Sequence, residues 1–513
     1  MKRIWAAALL ALVALFPSAA SADMPEYARM TEAERESLGR TQGRVVLELE
    51  DGTPLPYDEV SNTYFIPQDA QTEAFCSGVS VRDDSNLLCS VVMPQGWTKK
   101  LALDVSMGFE VVAEGEDAVF ASNVVLTPLP VLDIRNDSGE LPGDQTQSAR
   151  LALYAAEKDG GVSCEQTPIG MNLRGNTSKW LPKKSYRVKI LDEQGKKRNL
   201  SIAGLREDDD WILNPMYSDT SKIREKLAYE LWEAFNSCGT AARSSRLEYA
   251  EVLFDGQYWG LYGVQERIDR KQVDSHRRSG ILYKVFANDR PTVEEVLACG
   301  DEERCGGLEI KHAGTFVENP WTPAASYMSL LFGEKNIAGA VMSLKNTIDY
   351  GLWAMLLQAH DCHFKNQFLH AVYENGGYTM YKIPWDLNHT FGDVWYGDGK
   401  EQNYTNYIVG RLVMDGSFEK LIETGGEEVY AMIRARWAQL RSGIAREDAI
   451  MARAREIHQP IYGAIVRDGR RWPECGMGEG NADNLRDIQT SIRMILPEID
   501  AFVEELGRQL AQK

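Results

Sequence analysis

Asp361-Cys362-His363-Phe364-Lys365-Asn366, then Gln367 to Tyr373, the turn Glu374-Asn375-Gly376-Gly377, Tyr378 to Ile383 and finally Trp385-Asp386-Leu387-Asn388: the reading of this chain turns on this stretch. Two mainly apolar runs of near-equal length around Asn-Gly predict a β-hairpin, because Asn and Gly tolerate the positive φ that a tight hairpin turn demands. A hairpin brings its two ends together. Asn366 at the entrance and Asp386 just past the exit are therefore expected to be neighbours, with Asp361 one short loop upstream. Two carboxylates and an amide oxygen then surround one point. Magnesium wants oxygen ligands, takes few of them from protein and leaves the rest to phosphates and water. Asn366 and Asp386 suit the ligand role, and Asp361 suits a base that orients an acceptor.

Phosphoryl transfer needs little beyond positioning and charge neutralisation. The spacing D-x-x-x-x-N is that of a kinase catalytic loop, and an Asp beyond a hairpin matches the second metal ligand there. D-x-H-x-x-N also resembles the loop of phosphoinositide and other atypical kinases. The spacing alone is weak, since a polar loop capped by Asp and Asn has the same letters; the hairpin and the second Asp add the weight.

Upstream, Arg174-Gly175-Asn176-Thr177-Ser178 is turn-rich and carries a positive charge. It leads into Pro182-Lys183-Lys184-Ser185-Tyr186-Arg187-Val188-Lys189-Ile190. On a strand, Tyr186, Val188 and Ile190 share one face, and Ser185, Arg187 and Lys189 the other. Lys189 is placed to meet a nucleotide's phosphates; a solvated strand face is the plainer explanation of such alternation. Asp219-Thr220-Ser221 is expected to cap a helix bearing Ile223, Leu227, Leu231 and Phe235 on one side, and Glu225 or Glu230 on it is a partner for Lys189. Ala250 to Phe254, Asp255-Gly256 and Tyr258 to Gln265 predict a second hairpin. It ends at Glu266-Arg267-Ile268-Asp269, where a hinge holding adenine is expected.

The rest of the chain sets the context. Lys2 and Arg3, an apolar run from Ile4 to Phe16, Pro17 and Ala20-Ser21-Ala22 read as a cleavable export signal over residues 1–22, the run being shorter than the ~20 residues a bilayer span needs. Residues 23–126 read as a β-rich accessory domain, with Val45 to Leu49 leading to the turn Asp51-Gly52 and apolar runs at Leu101-Ala102-Leu103 and Val124-Val125-Leu126. Thr127-Pro128-Leu129-Pro130 marks a boundary, and the second domain is taken as 127–512, helical over much of its last third. A net charge of −19 disfavours nucleic acid and anionic membrane as partners. The eight cysteines of an exported chain favour disulfides; Cys76 with Cys89, and Cys299 with Cys305, are the locally plausible pairs. No CxxC pair suggests zinc.

Taken together these pieces resemble the spore coat protein H (CotH) kinase family. The resemblance is carried by RGNTSKWLPKKSYRVKI (174–190), DDDWILNPMYSDTSKIREKLAYEL (208–231), FDGQYWGLYGVQERID (254–269), ILYK (281–284), and DCHFKNQF with IPWDLNHTFG (361–392), and it spans roughly residues 127–510. It implies an α+β fold with a two-lobed, protein-kinase-like domain, a β-rich N-lobe and a helical C-lobe. It implies transfer of the γ-phosphate of ATP to a protein hydroxyl with Mg2+ or Mn2+, Asp361 as base, Asn366 and Asp386 as metal ligands, and Lys189, with Lys183 and Lys184 close by, as the phosphate-contacting lysine. Arg174 and Glu266 complete the expected nucleotide site. The family usually reads Trp-Asp-Leu-Asp where this chain has Asn388, which implies altered metal affinity rather than its loss. Cys362 reads as an inert thiol or a disulfide partner.

Three functions follow: an exported kinase acting on a protein in the periplasm or at the cell surface, a catalytically silent nucleotide-binding or structural envelope protein, and a metal-dependent phosphoesterase. Retention of Lys189, Asp361, Asn366 and Asp386 favours the first. No G-x-S-x-G supports a serine hydrolase.

Overall fold

The structure is a computed structural model that describes residues 28–39, 43–82, 88–115, 118–175, 177–289, 291–333, 340–395, 401–403, 412, 415–475 and 485–511. The export signal expected at residues 1–22 lies outside the described residues. The chain divides into two compact units, one of residues 1–133, 152–166 and 253–258, the other of residues 134–151, 167–252 and 259–513. The architecture is mixed α+β.

In the first unit a six-stranded sheet runs in the order Ala28–Met30, Leu88–Val92, Phe109–Glu114, Val119–Thr127, Thr63–Pro67, Tyr57–Asp58. Leu47, Ile66, Val111 and Val124 fill its core. The run Leu101-Ala102-Leu103 is not a strand. It sits in the helix Lys99–Val105, capped by the Thr98 hydroxyl, which buries Ala102 and Leu103; three apolar residues are too few to distinguish the two periods. Cys76 and Cys89 are not joined and remain thiols, so closeness in sequence misled here. Cys76 is buried in the core, and that burial pushes its thiol up to about 12.

Next along the chain come strands β1 (Val131–Asn136), β2 (Gln147–Ala156), β3 (Val162–Leu173), β4 (Tyr186–Ile190), β5 (Asp210–Asn214), β6 (Leu247–Phe254) and β7 (Gln257–Glu266), most of whose residues fall in the second unit. They close into a barrel in the order β2-β3-β4-β5-β7-β6-β1. On β4 the apolar residues Tyr186, Val188 and Ile190 are buried and Arg187 and Lys189 are half-buried, as strand alternation requires. The turn between β6 and β7 puts Asp255 and Gly256 at φ 47° and 79°, the left-handed pair of a tight hairpin.

Helix α1 (Arg224–Phe235) buries Leu227, Leu231 and Phe235. The expected capping residues stand just before it. Asp219 accepts the Arg224 N–H at 2.8 Å and the Ser221 hydroxyl at 2.6 Å. Ser221 in turn accepts the Ile223 N–H at 3.3 Å.

Beyond the barrel, β8 (Ile281–Val285), β9 (Arg304–Cys305), β10 (Leu308–Ala313), β11 (Ala340–Met342), β12 (Gln367–Glu374) and β13 (Gly377–Pro384) form a second six-stranded sheet in the order β9-β10-β8-β12-β13-β11. The expected hairpin is its β12–β13 pair, with Asn375 and Gly376 at φ 53° and 82°. It does not stand alone among helices: the short strands on either side of it escaped the sequence reading. The one disulfide among the described residues, Cys299–Cys305, closes the segment between the first of these strands and its neighbours. Helices α2 (Thr322–Phe332), α3 (Leu344–Leu357), α4 (Gly416–Arg441), α5 (Glu447–Arg471) and α6 (Arg486–Ala511) supply the rest. Within α4, Val429, Ile433 and Trp437 are buried at helical spacing. No helix among the described residues is long and apolar enough to cross a membrane.

Candidate functional site

The β12–β13 hairpin positions the central residues. Its register pairs Gln367 with Pro384, and one step further out the Trp385 N–H donates to the Asn366 carbonyl at 3.0 Å. Asn366 and Asp386 are therefore neighbours at the open end of the hairpin. Both adopt the left-handed conformation, with φ 54° and 61°. A non-glycine residue holds that conformation only where its surroundings impose it, and such residues gather at functional sites. The Asn366 amide N–H donates to Asp361 Oδ2 at 2.7 Å, which leaves its amide oxygen, on the other arm of the amide, as a potential ligand. Lys365 Nζ pairs with Asp361 Oδ1 at 2.9 Å.

Cys362 lies between the two carboxylates as a free, buried thiol whose S–H donates to the Trp385 carbonyl at 3.7 Å. Burial first, and then the charges of Asp361 and Asp386, push its ionisation well above the ordinary range. It is a free thiol, so the disulfide branch of the sequence reading is not met.

Two cations face the same corner. Arg174, at the end of β3, lies 5.9 Å from the centre of the Trp385 ring, and Lys284 on β8 lies at the same distance. Desolvation lowers the Arg174 pKa, while Asp386 and Glu225 act against that. Desolvation and the neighbouring Arg174 charge bring Lys284 down to about 8, with Asp386 opposing.

Behind Asp386 stands a buried polar cluster carried by α1. Glu225 accepts from Asn214 Nδ2 at 2.6 Å and from Gln265 Nε2 at 3.2 Å, and Tyr229, one turn on, bonds it at 3.2 Å. Burial, reinforced by Asp386, raises the Glu225 carboxyl to about 7. The loop after Asp386 is pinned as well: Arg224 Nε donates to the Thr390 carbonyl at 3.2 Å and the Phe391 N–H to the Leu357 carbonyl at 2.6 Å.

Asp361, Asn366, Asp386 and Arg174 thus converge, and among the described residues no hydrogen bond or ion pair ties Lys189 or Glu266 to them. Lys189 faces Asp210 in register on β5, and that carboxylate is held by Arg187 at 2.8 Å and by Arg267. The expected glutamate partner for Lys189 is not found. Glu225 belongs to the cluster above, and Glu230 pairs with Arg453 at 2.5 Å and Lys226 at 3.1 Å. Lys183 is sealed in the interior against Asp468 at 2.6 Å, so burial removes it as a phosphate contact. Lys184 donates to the Lys179 carbonyl at 2.6 Å.

Glu266 alternates with Gln265 along β7, so its side chain leaves the opposite face of the sheet. There it meets the Arg206 N–H at 3.3 Å, and its own backbone groups are taken by Arg246 and Ser245.

Lys284, Tyr229, Asn214 and Gln265 were given no role from sequence. A lysine inside the apolar strand Ile281-Leu282-Tyr283-Lys284-Val285 is a signal. So is Tyr229, four residues after Glu225 and hence on the same helix face.

Among the described residues no three His, Cys, Asp or Glu side chains gather as a metal cage. The donor set that is present, one carboxylate with one amide oxygen beside it, fits a magnesium-type ion that takes its other ligands from phosphate and water.

The mixed α+β scaffold thus gathers two carboxylates, an amide oxygen and two cations around a hairpin mouth, groups whose chemistry could hold a metal ion and phosphate oxygens. Residues 171–496 match the model of the CotH kinase protein family, and the chain belongs to that family. No curated protein matches the chain.

Proposed function

We propose that this chain is an exported kinase of two-lobed, protein-kinase-like arrangement that moves the γ-phosphate of ATP to a hydroxyl of a protein outside the cytoplasm. The observation that carries the reading is the meeting of Asp361, Asn366 and Asp386 at the mouth of one hairpin in a chain of the CotH kinase family.

In this reading Asp361 accepts the proton of the acceptor hydroxyl. Asn366 orients it through the 2.7 Å hydrogen bond, and Lys365 balances its charge. Asp386 and the Asn366 amide oxygen would hold Mg2+ or Mn2+, which when bound neutralises phosphate charge. Arg174 and Lys284 face the same space and add positive charge against the phosphates, with Lys189 a further candidate from β4. Asn388 stands one residue beyond Leu387, where its amide oxygen remains available as a weaker ligand than a carboxylate.

The experiment is incubation with γ-labelled ATP and Mg2+ or Mn2+. Label on protein supports the proposal, label released only to water supports a phosphoesterase, and neither supports a silent binding protein. Asp361→Ala and Asp386→Ala are each expected to abolish transfer and leave the fold intact. Full activity in either variant removes the assignment.

A further inference from the structure

The hydroxyl of Tyr229 has three partners, and one of them is the backbone of Asp386. It accepts the Asp386 N–H at 3.3 Å and the Gln265 Nε2–H at 3.0 Å, and it donates to Glu225 Oε1 at 3.2 Å. One donor and two lone pairs are all a phenol has, so the group is fully used. The ring is 2% exposed. Burial, with the Glu225 charge beside it, drives the phenol's ionisation well above its ordinary value, so the hydroxyl keeps its proton throughout the working range.

Asp386 is in the left-handed conformation at φ 61°. For a residue with a Cβ that conformation costs of order 1 kcal/mol or more and persists only when held. The preceding residue is held by the Trp385 N–H bond to Asn366. Four residues on, Arg224 ties down the Thr390 carbonyl. The Trp385–Asp386 peptide is held at both ends: its carbonyl accepts the Cys362 S–H at 3.7 Å, and its N–H, the stronger donor, bonds Tyr229 at 3.3 Å.

We infer that Tyr229 is a positioning residue: its hydroxyl sets the backbone of Asp386 so that the carboxylate presents to the metal, and it couples the seat of helix α1 to that ligand. The inference rests on the phosphotransferase reading of this site. The same hydroxyl ties α1, through Glu225 and Gln265, to β7 and to the loop carrying Asp386. A displacement of α1 therefore withdraws the acceptor from the Asp386 N–H, and the ligand loses its imposed conformation.

The test uses the full chain and the variant Tyr229→Phe, which keeps the ring and deletes the oxygen. Three quantities are read: residue-resolved hydrogen exchange of the Asp386 amide, free Mn2+ by electron paramagnetic resonance in the presence of a non-hydrolysable ATP analogue, and label transfer across a Mn2+ titration. In the unmutated chain the Asp386 amide is expected to be protected. In Tyr229→Phe it is expected to exchange roughly tenfold faster, with Mn2+ affinity down roughly five- to tenfold, the worth of one hydrogen bond. Raising Mn2+ is expected to restore most of the transfer rate, a recovery that a merely destabilised fold does not show.

An Asp386 amide that exchanges like an exposed one in the unmutated chain overturns the inference whether or not the variant folds. So does a folded variant with unchanged Mn2+ affinity. If the unmutated chain transfers no label but Tyr229→Phe still loses the amide protection and the Mn2+ affinity, the kinase reading falls and the positioning role stands. If the unmutated chain binds no Mn2+, both fall.

Discussion

Replacing Glu225 by glutamine should reverse sign as a stability effect between pH 5 and pH 8. The Glu225 carboxyl is buried beside Asp386 and titrates near 7 in the folded protein instead of at its ordinary 4.5. Between those values the folded state keeps a proton that the unfolded chain has released, so stability falls as pH rises through the window and levels off above it. Each unit of displacement is 1.36 kcal/mol, so about 3 kcal/mol is lost by pH 8. Glutamine does not titrate, and the loss disappears. Its own cost is independent of pH: its amide N–H2 meets the Asn214 Nδ2 donor where an oxygen had accepted at 2.6 Å, which costs about 1 kcal/mol. The variant should thus be slightly less stable than the parent at pH 5 and more stable by about 2 kcal/mol at pH 8. Urea titrations in EDTA, followed through the buried Trp211, Trp232 and Trp353, measure the difference. Comparing parent and variant cancels other groups, including Lys284, whose depressed pKa of about 8 adds an opposite slope only at higher pH. Identical pH dependence in parent and variant refutes the reasoning.

Lys284→Met should raise the KM for ATP about tenfold or more, the worth of a charge-assisted hydrogen bond, whereas Lys189→Met should weaken binding less, because Lys284 and not Lys189 interacts with Trp385 and Asp386; equal effects in an ATP titration would place the phosphates nearer β4. Asp468→Ala leaves Lys183 and Lys222, both paired with it and fully buried, without a counter-charge, and should cost about 3–5 kcal/mol in urea unfolding; a loss under 1 kcal/mol would show that water reaches those lysines. Asn388→Asp should tighten Mn2+ binding by adding a charged oxygen beside the site; unchanged affinity would take residue 388 out of the metal's reach.

The hairpin was legible because its information is local. Asn375-Gly376 accept positive φ, and the equal strands fix the register that brings Asn366 to Trp385 and Asp386. Arg174 could be suspected from its turn-rich surroundings. Lys284, Tyr229 and Gln265 could not be assembled into the site from sequence, because they arrive on β8, α1 and β7 and meet only through the order in which strands are joined. Glu266 shows the limit in the other direction. The strand end at Glu266 was legible, but one residue of alternation decides which face a side chain leaves, and Gln265, not Glu266, joins Glu225 and Tyr229. Lys189 failed to find its glutamate for a related reason: helical spacing gives the face of Glu225 but not the amides of Asn214 and Gln265, which claim that carboxylate before any lysine reaches it.

That substitution of amides for a cation around Glu225 has a consequence for how the site responds to its ligand. A glutamate locked in a salt bridge stays ionised and its helix is held by charge. Here the carboxyl sits near neutrality, bonded by Asn214, Gln265 and Tyr229, with Arg174 and Asp386 acting on it in opposite directions. A cation placed against Asp386 would screen the charge that helps keep the Glu225 proton on, so metal loading should release a fraction of a proton near pH 7. Calorimetry of Mn2+ binding in two buffers of different ionisation heat reads that release directly. It should vanish in Glu225→Gln, and its persistence there would assign the proton to another group and break the link between helix α1 and the ligand at 386.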